Sequence, residues 1–151
     1  MSDIVQLQLG LPAADQLGFV VKNLEESMEK YGPLFSPFRT MDGSVEAADF
    51  RGESKDVKLK LAFGKTGDLE IELIEWVEGE SPHSEFIQAG NEGMHHIRYR
   101  VDDCDGCVSK AESIGFKRIW YKAMSDDIKF AYMERDNDPL IIEFLQMPGS
   151  Y

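Results

Sequence analysis

The chain has 151 residues, of which 42% are hydrophobic, enough for one ordinary domain with an apolar core and too few for a second. Its 28 acidic residues against 16 basic ones give a formal net charge of -12, which repels nucleic-acid phosphates and anionic lipid surfaces and sets both aside as partners. No apolar run approaches the roughly 20 residues needed to cross a bilayer, and the start lacks the basic and apolar stretches of a signal peptide, so a soluble, cytoplasmic protein is expected.

Met1 to Ala14 carries Ile4, Val5, Leu7, Leu9 and Leu11 ahead of Pro12 and reads as an extended arm or edge strand. Gln16 to Val21 reads as a strand. Asn23 then caps a helix over Leu24 to Tyr31, which Gly32-Pro33 is expected to stop. After a loop rich in Ser, Pro and Gly come three strand-like runs, Val45 to Phe50, Val57 to Phe63 and Leu69 to Val77, the last two joined by a turn at Gly64-Lys65-Thr66-Gly67. Ser81, with Pro82 behind it, opens a short segment that ends at Gly90 and links two halves of the chain.

The second half opens on Gly93-Met94-His95-His96-Ile97-Arg98-Tyr99-Arg100-Val101. Strict alternation puts Ile97, Tyr99 and Val101 on one face and His96, Arg98 and Arg100 on the other, because strand side chains alternate with period two. The first face suits a helix-covered core. The second aims polar groups at something else, so a histidine beside arginines there is a site candidate. A helix over Cys104 to Ile114, ending at Gly115, and strand runs at Phe116 to Ala123, Ile128 to Glu134 and Pro139 to Gln146 complete the half.

Strand, helix and three strands therefore occur twice, as modules over 15–78 and 94–147 of a single domain over 1–151. Gln16 and His96 hold the same place in the first strand of each module. Glu72 and Glu143 hold the same place in the last, each a glutamate in an otherwise apolar strand. A carboxylate buried there costs several kcal/mol unless it is paired or binds a metal. Two such glutamates at equivalent places in a repeated unit point to a site.

On these residues, from Asp15 to Gln146, the chain resembles the vicinal oxygen chelate superfamily, which includes glyoxalase I, methylmalonyl-CoA epimerase, extradiol dioxygenases and bleomycin-resistance proteins. The resemblance implies an α+β fold of two tandem βαβββ modules that form a cup-shaped, mostly antiparallel sheet, with one metal ligand from the first and one from the last strand of each. The matching positions are Gln16, Glu72, His96 and Glu143. Gly93 to Asp103 looks most like the epimerase branch, whereas the ligand set looks like that of some glyoxalase I enzymes.

One imidazole, one amide oxygen and two carboxylates suit a divalent metal with open water positions, and Zn, Co, Ni, Mn or Mg would each fit. Gln16 stands where an extradiol dioxygenase has its first histidine, which sets oxygen activation aside. The positions that bind glutathione in glyoxalase I hold Val20, Trp76 and Glu92 here. The expected chemistry is that of an isomerase, epimerase or lyase: enolisation of a metal-chelated carbonyl or acyl thioester, with Glu143 as the proton-transferring base and Glu72 as its alternate. The alternatives are a lactoylglutathione lyase and a non-catalytic protein of the bleomycin-resistance kind that sequesters an apolar small molecule.

Arg98, on the His96 face, is a candidate for a substrate carboxylate or enolate oxygen, with an ion pair to Glu143 or Glu72 as the structural alternative. Trp76, on the Glu72 face, is a candidate lining residue, and some of Tyr99, Trp120, Tyr121, Phe130 and Tyr132 are expected to line the cup with it. Cys104 and Cys107 have redox or zinc spacing but stand at a helix start without a second pair, and are read as incidental. His83 and His95 are expected on the surface or in loops. A homodimer, or module pairing completed within the chain, is expected to cover the sheet edges.

Overall fold

In a computed structural model that describes residues 9–149, the repeated pattern becomes two modules wrapped into one sheet. The first contains β1 (Gln16–Val21), α1 (Leu24–Phe35), β2 (Arg39–Asp42), β3 (Val45–Phe50), β4 (Glu53–Thr66) and β5 (Leu69–Gly79). The linker helix α2 (Pro82–Gln88) follows, then β6 (Gly93–Arg100), α3 (Cys104–Glu112), β7 (Phe116–Ala123), β8 (Lys129–Arg135) and β9 (Asp138–Gln146). Most of the arm before Pro12 lies outside the described residues.

The strand order is β2-β4-β3-β7-β8-β9-β6-β1-β5, and β4 also pairs with β5, so the sheet closes on itself. The modules meet at two seams. One is the antiparallel β1–β6 pair; the other is a short β3–β7 pair, with Asp49 opposite Tyr121 and Phe50 opposite Trp120. Module pairing is thus completed within the chain, and β2 remains as a fully exposed edge strand.

Alternation sorts the apolar side chains onto the two faces of this sheet. Under α1 lie Val21, Leu24, Ala62, Ile71 and Leu73, with Phe19, Tyr31 and Phe35 packed alongside. Under α3 lie Val101, Val108, Met133, Ile142 and Phe144. Complete burial of a side chain such as Phe144 contributes roughly 1.5–3 kcal/mol. The third cluster, with Val20, Leu59, Ile74, Trp120 and Tyr132, lines the inside of the cup.

Three local expectations are corrected. Helix α1 does not stop at Gly32-Pro33 but runs through both to Phe35, where the Ser36 N–H caps it by donating to the Gly32 carbonyl. The extra turn places the Phe35 ring 6.4 Å from Phe19 and 5.9 Å from Tyr31, and that packing compensates for the hydrogen bond a proline cannot make. The loop ahead of β3 contains the short strand β2. The β4–β5 turn sits at Gly67-Asp68, with Gly64, Lys65 and Thr66 still in the ladder and Gly67 at φ 59°, where glycine is favoured.

Candidate active site

Strand β1 runs parallel to β5 and antiparallel to β6, so Gln16 stands between Glu70 and Arg98, and Gly18 between Glu72 and His96. On the far side of β6, Arg98 is opposite Glu143 of β9, which is opposite Tyr132 of β8. Neighbouring strands β5, β1, β6, β9 and β8 thus bring Glu72, His96, Glu143 and Tyr132 together on the cup floor, with Gly18 between the first two.

The buried imidazole of His96 is the centre. Its Nε2 lies 3.3 Å from Glu143 Oε1, 3.6 Å from Glu72 Oε1 and 3.5 Å from the Tyr132 hydroxyl. Burial alone would lower its pKa, but the two carboxylates favour the charged ring and outweigh burial, raising it to about 9. Two of the expected glutamates and the expected histidine are therefore side by side. Gln16 shares their face but is engaged elsewhere: its Nε2 donates to Glu70 Oε1 at 2.7 Å, and its buried Oε1 has no partner among the described residues.

Arg98 lines the cavity above this floor, and its ion pair is with Asp15 rather than with the structural alternatives Glu143 or Glu72. Its guanidinium donates to both oxygens of Asp15, at 3.0 and 2.9 Å, and lies 3.6 Å from Glu70. Burial works against its charge. The Asp15 hydrogen bonds and the nearby Glu143 and Glu72 prevail and raise its pKa. Trp76 packs against the cup cluster, but its indole N–H is spent on the Gly79 carbonyl at 3.0 Å, and it is not among the residues that line the cavity. Trp76 stays in register with Leu59, and the shift in the β4–β5 ladder falls just beyond it, at Val77.

His83 and His95 are not surface residues; both are buried beside His96. Ring nitrogens of the three approach within 4.8 Å of one another and could form a metal site of their own. His83 Nδ1 meets Ser81 Oγ at 3.0 Å, His83 Nε2 meets the Tyr132 hydroxyl at 3.0 Å, and His95 Nδ1 meets His96 Nδ1 at 2.9 Å. Burial, then the neighbouring imidazoles, push both His83 and His95 well below the usual histidine range, so both are neutral. Sequence reasoning missed them because α2 packs against the inner face of the cup only in three dimensions.

The cup encloses a cavity of about 320 Å³, with Glu72, Arg98 and Glu143 on its polar side and Leu59, Ile74, Trp120 and Phe130 among its apolar walls. A larger groove of about 780 Å³ lies between the start of α1 and β4, lined by Met28, Lys58, Lys60 and Glu75 among others. It lacks the histidine-carboxylate convergence, so the smaller cavity is the better site. Cys104 and Cys107 are free thiols away from this cavity.

Paired modules around a cup with an imidazole and two carboxylates on its floor define the fold class. The chain belongs to the Glyoxalase/Bleomycin resistance protein/Dioxygenase superfamily, whose family description matches residues 15–132. No curated protein matches it. Among solved structures it is similar to a hypothetical protein from Bacillus halodurans C-125, at 22% identity and a TM-score of 0.65, over 92% of this chain and 96% of that one. It is also similar to methylmalonyl-CoA epimerase from Mycobacterium tuberculosis, at 16% identity and a TM-score of 0.60, over 92% and 90% of the two chains. A variant of 4-hydroxymandelate synthase from Streptomyces coelicolor matches at 16% identity and a TM-score of 0.59, over 93% of this chain and 50% of that one. At these identities the likeness is one of fold. No described helix is long and apolar enough to cross a membrane.

Proposed function

We propose that the protein is a metal-dependent isomerase, epimerase or lyase that enolises a small carbonyl compound or acyl thioester. The observation that carries this reading is the convergence of Glu143, Glu72 and Tyr132 on His96 Nε2 at the floor of a cavity that Arg98 and His83 also line and whose other walls are mostly apolar.

The residues present fit a divalent ion. An imidazole nitrogen and two carboxylates stand together, and the unpartnered buried Oε1 of Gln16 is a neutral oxygen donor on the same face. Gln16, Glu72, His96 and Glu143 would hold the metal, which would act as a Lewis acid on the substrate carbonyl. Glu143 is the base that takes the proton from the adjacent carbon, with Glu72 as its alternate. Arg98, held on Asp15, supplies fixed positive charge near the developing negative oxygen, and the apolar walls keep the local dielectric low so that this charge counts. This reading carries a homodimer as its assembly, for which β2 is the open edge; sedimentation equilibrium of the intact protein measures it.

The test combines metal content after expression without chelator with solvent-deuterium exchange over a panel of 2-oxo acids, β-keto acids and acyl thioesters. Bound divalent metal and exchange at a carbon acid are expected, with exchange lost in Glu143→Gln. The apolar walls also favour a second reading, sequestration of a small molecule without turnover. Tight ligand binding with no metal and no exchange would select it.

A further inference from the structure

The Glu72–His96–Glu143 floor leaves one polar group at its centre without a role, the Tyr132 hydroxyl, and a buried chain of hydrogen bonds behind it sets its direction. Ser81 Oγ accepts the backbone N–H of His83 at 3.2 Å and stands 3.0 Å from His83 Nδ1. Among the described residues, His83 Nδ1 is the acceptor within reach of the Ser81 hydroxyl hydrogen. A neutral ring whose Nδ1 accepts must carry its proton on Nε2. His83 Nε2–H then donates to the Tyr132 oxygen, 3.0 Å away.

The reverse sense would have Tyr132 donating to His83 and His83 donating to Ser81. It would strand the Ser81 hydroxyl hydrogen, fully buried, without an acceptor. In the first sense the unspent hydrogen is that of Tyr132, which lines the cavity, where solvent or a ligand can accept it. Beyond His83, its hydrogen-bond partner among the described residues is His96 Nε2 at 3.5 Å, and that nitrogen is flanked by Glu143 Oε1 at 3.3 Å and Glu72 Oε1 at 3.6 Å, acceptors that call for an N–H there rather than a lone pair.

We infer that Tyr132 is a hydrogen-bond donor to the ligand oxygen that sits at the His96–Glu72–Glu143 point, and that His83 and Ser81 are positioning residues that fix its donor sense. In its catalytic part this inference rests on the enolisation reading: Tyr132 donates to the oxygen on which charge develops as Glu143 takes the proton, and no proton leaves Tyr132. The ligand class is a compound with a carbonyl or enolate oxygen at one end and an apolar body that packs against Trp120 and Phe130.

Long-range proton–nitrogen correlation on the ¹⁵N-labelled, metal-free protein tests the sense directly, with the His83→Gln spectrum assigning the ring. His83 protonated at Nε2 and bare at Nδ1 is expected; the opposite tautomer overturns the inference. The second arm is deuterium exchange by the metal-loaded protein on the carbonyl panel. Tyr132→Phe is expected to lose on the order of a hundredfold in exchange rate with metal content unchanged, the scale for removing one oxyanion donor. His83→Leu should fall with it, and His83→Gln, which keeps an N–H at the Nε2 place, should recover most of the loss. A purely structural staple would not separate these two variants at equal thermal stability. Wild-type exchange matched by Tyr132→Phe overturns the donor role and leaves the enolisation reading standing. A wild type that exchanges none of the panel overturns that reading and the catalytic role of Tyr132 with it.

Discussion

The His96 imidazole lies across Gly18, so close that a Cβ on residue 18 would stand 2.1 Å from His96 Cε1 and 2.3 Å from Nε2. Glycine at this place on β1 is what lets a residue of β6 reach the carboxylates of β5 and β9. Gly18→Ala should therefore push His96 out of position, destabilise the protein by about 1–3 kcal/mol, as overpacking does, and weaken divalent-metal binding at least about tenfold. Chemical denaturation and competition against a chromophoric chelator measure the two effects. Wild-type metal affinity in this variant would show that His96 is not a ligand.

Glu143→Gln keeps the shape of the side chain and removes its ability to accept a proton. Exchange at the substrate carbon is expected to fall on the order of a hundredfold or more, with the circular-dichroism spectrum unchanged. Exchange at the wild-type rate would transfer the base role to Glu72, tested next by the same substitution.

Arg98 owes its compensated charge first to Asp15, whose side chain it grips with two donors while only 16% exposed itself. Removing the partner leaves a mostly buried cation. Asp15→Ala should cost about 2 kcal/mol, less than the ~3–5 kcal/mol of a fully buried pair because Asp15 is 24% exposed and Glu70 remains 3.6 Å away. A denaturation midpoint equal to that of wild type would assign Arg98 another main counter-charge.

Burial, followed by the charge of Asp105, pushes the Cys104 thiol up to about 12, and its S–H points at the Phe144 carbonyl 3.9 Å away. The folded thiol therefore stays protonated where the unfolded one ionises, near its ordinary value of 9.0. With the folded pKa raised, the contribution of Cys104 is present below pH 9 and is lost as pH climbs toward 12. In native protein at pH 8, iodoacetamide should modify Cys107 before Cys104. Stability should fall less between pH 8 and 10 in Cys104→Ala than in wild type. Rapid labelling of native Cys104 would contradict its burial.

Period-two alternation and helix caps are local properties, so the two modules, the covered faces of β6 and β9 and the placement of His96 and Glu143 on one cup face were legible in the sequence. Asn23 is a cap on sight, and it receives the Glu26 N–H in the structure. The repeat made Glu72 and Glu143 conspicuous because a glutamate in an apolar strand contradicts its surroundings. What only the tertiary structure decided was which groups meet across strands and from outside the sheet. Gln16 Nε2 bonds Glu70, and Arg98 finds Asp15, because strand register is set by pairing between segments far apart in sequence. His83 reaches Tyr132 only because α2 packs against the inside of the cup, a placement that depends on the contact of Phe86 and Ile87 with the cup cluster and has no local sequence signal. Alternation along one strand tells which way a side chain faces; what it faces is settled by the rest of the chain.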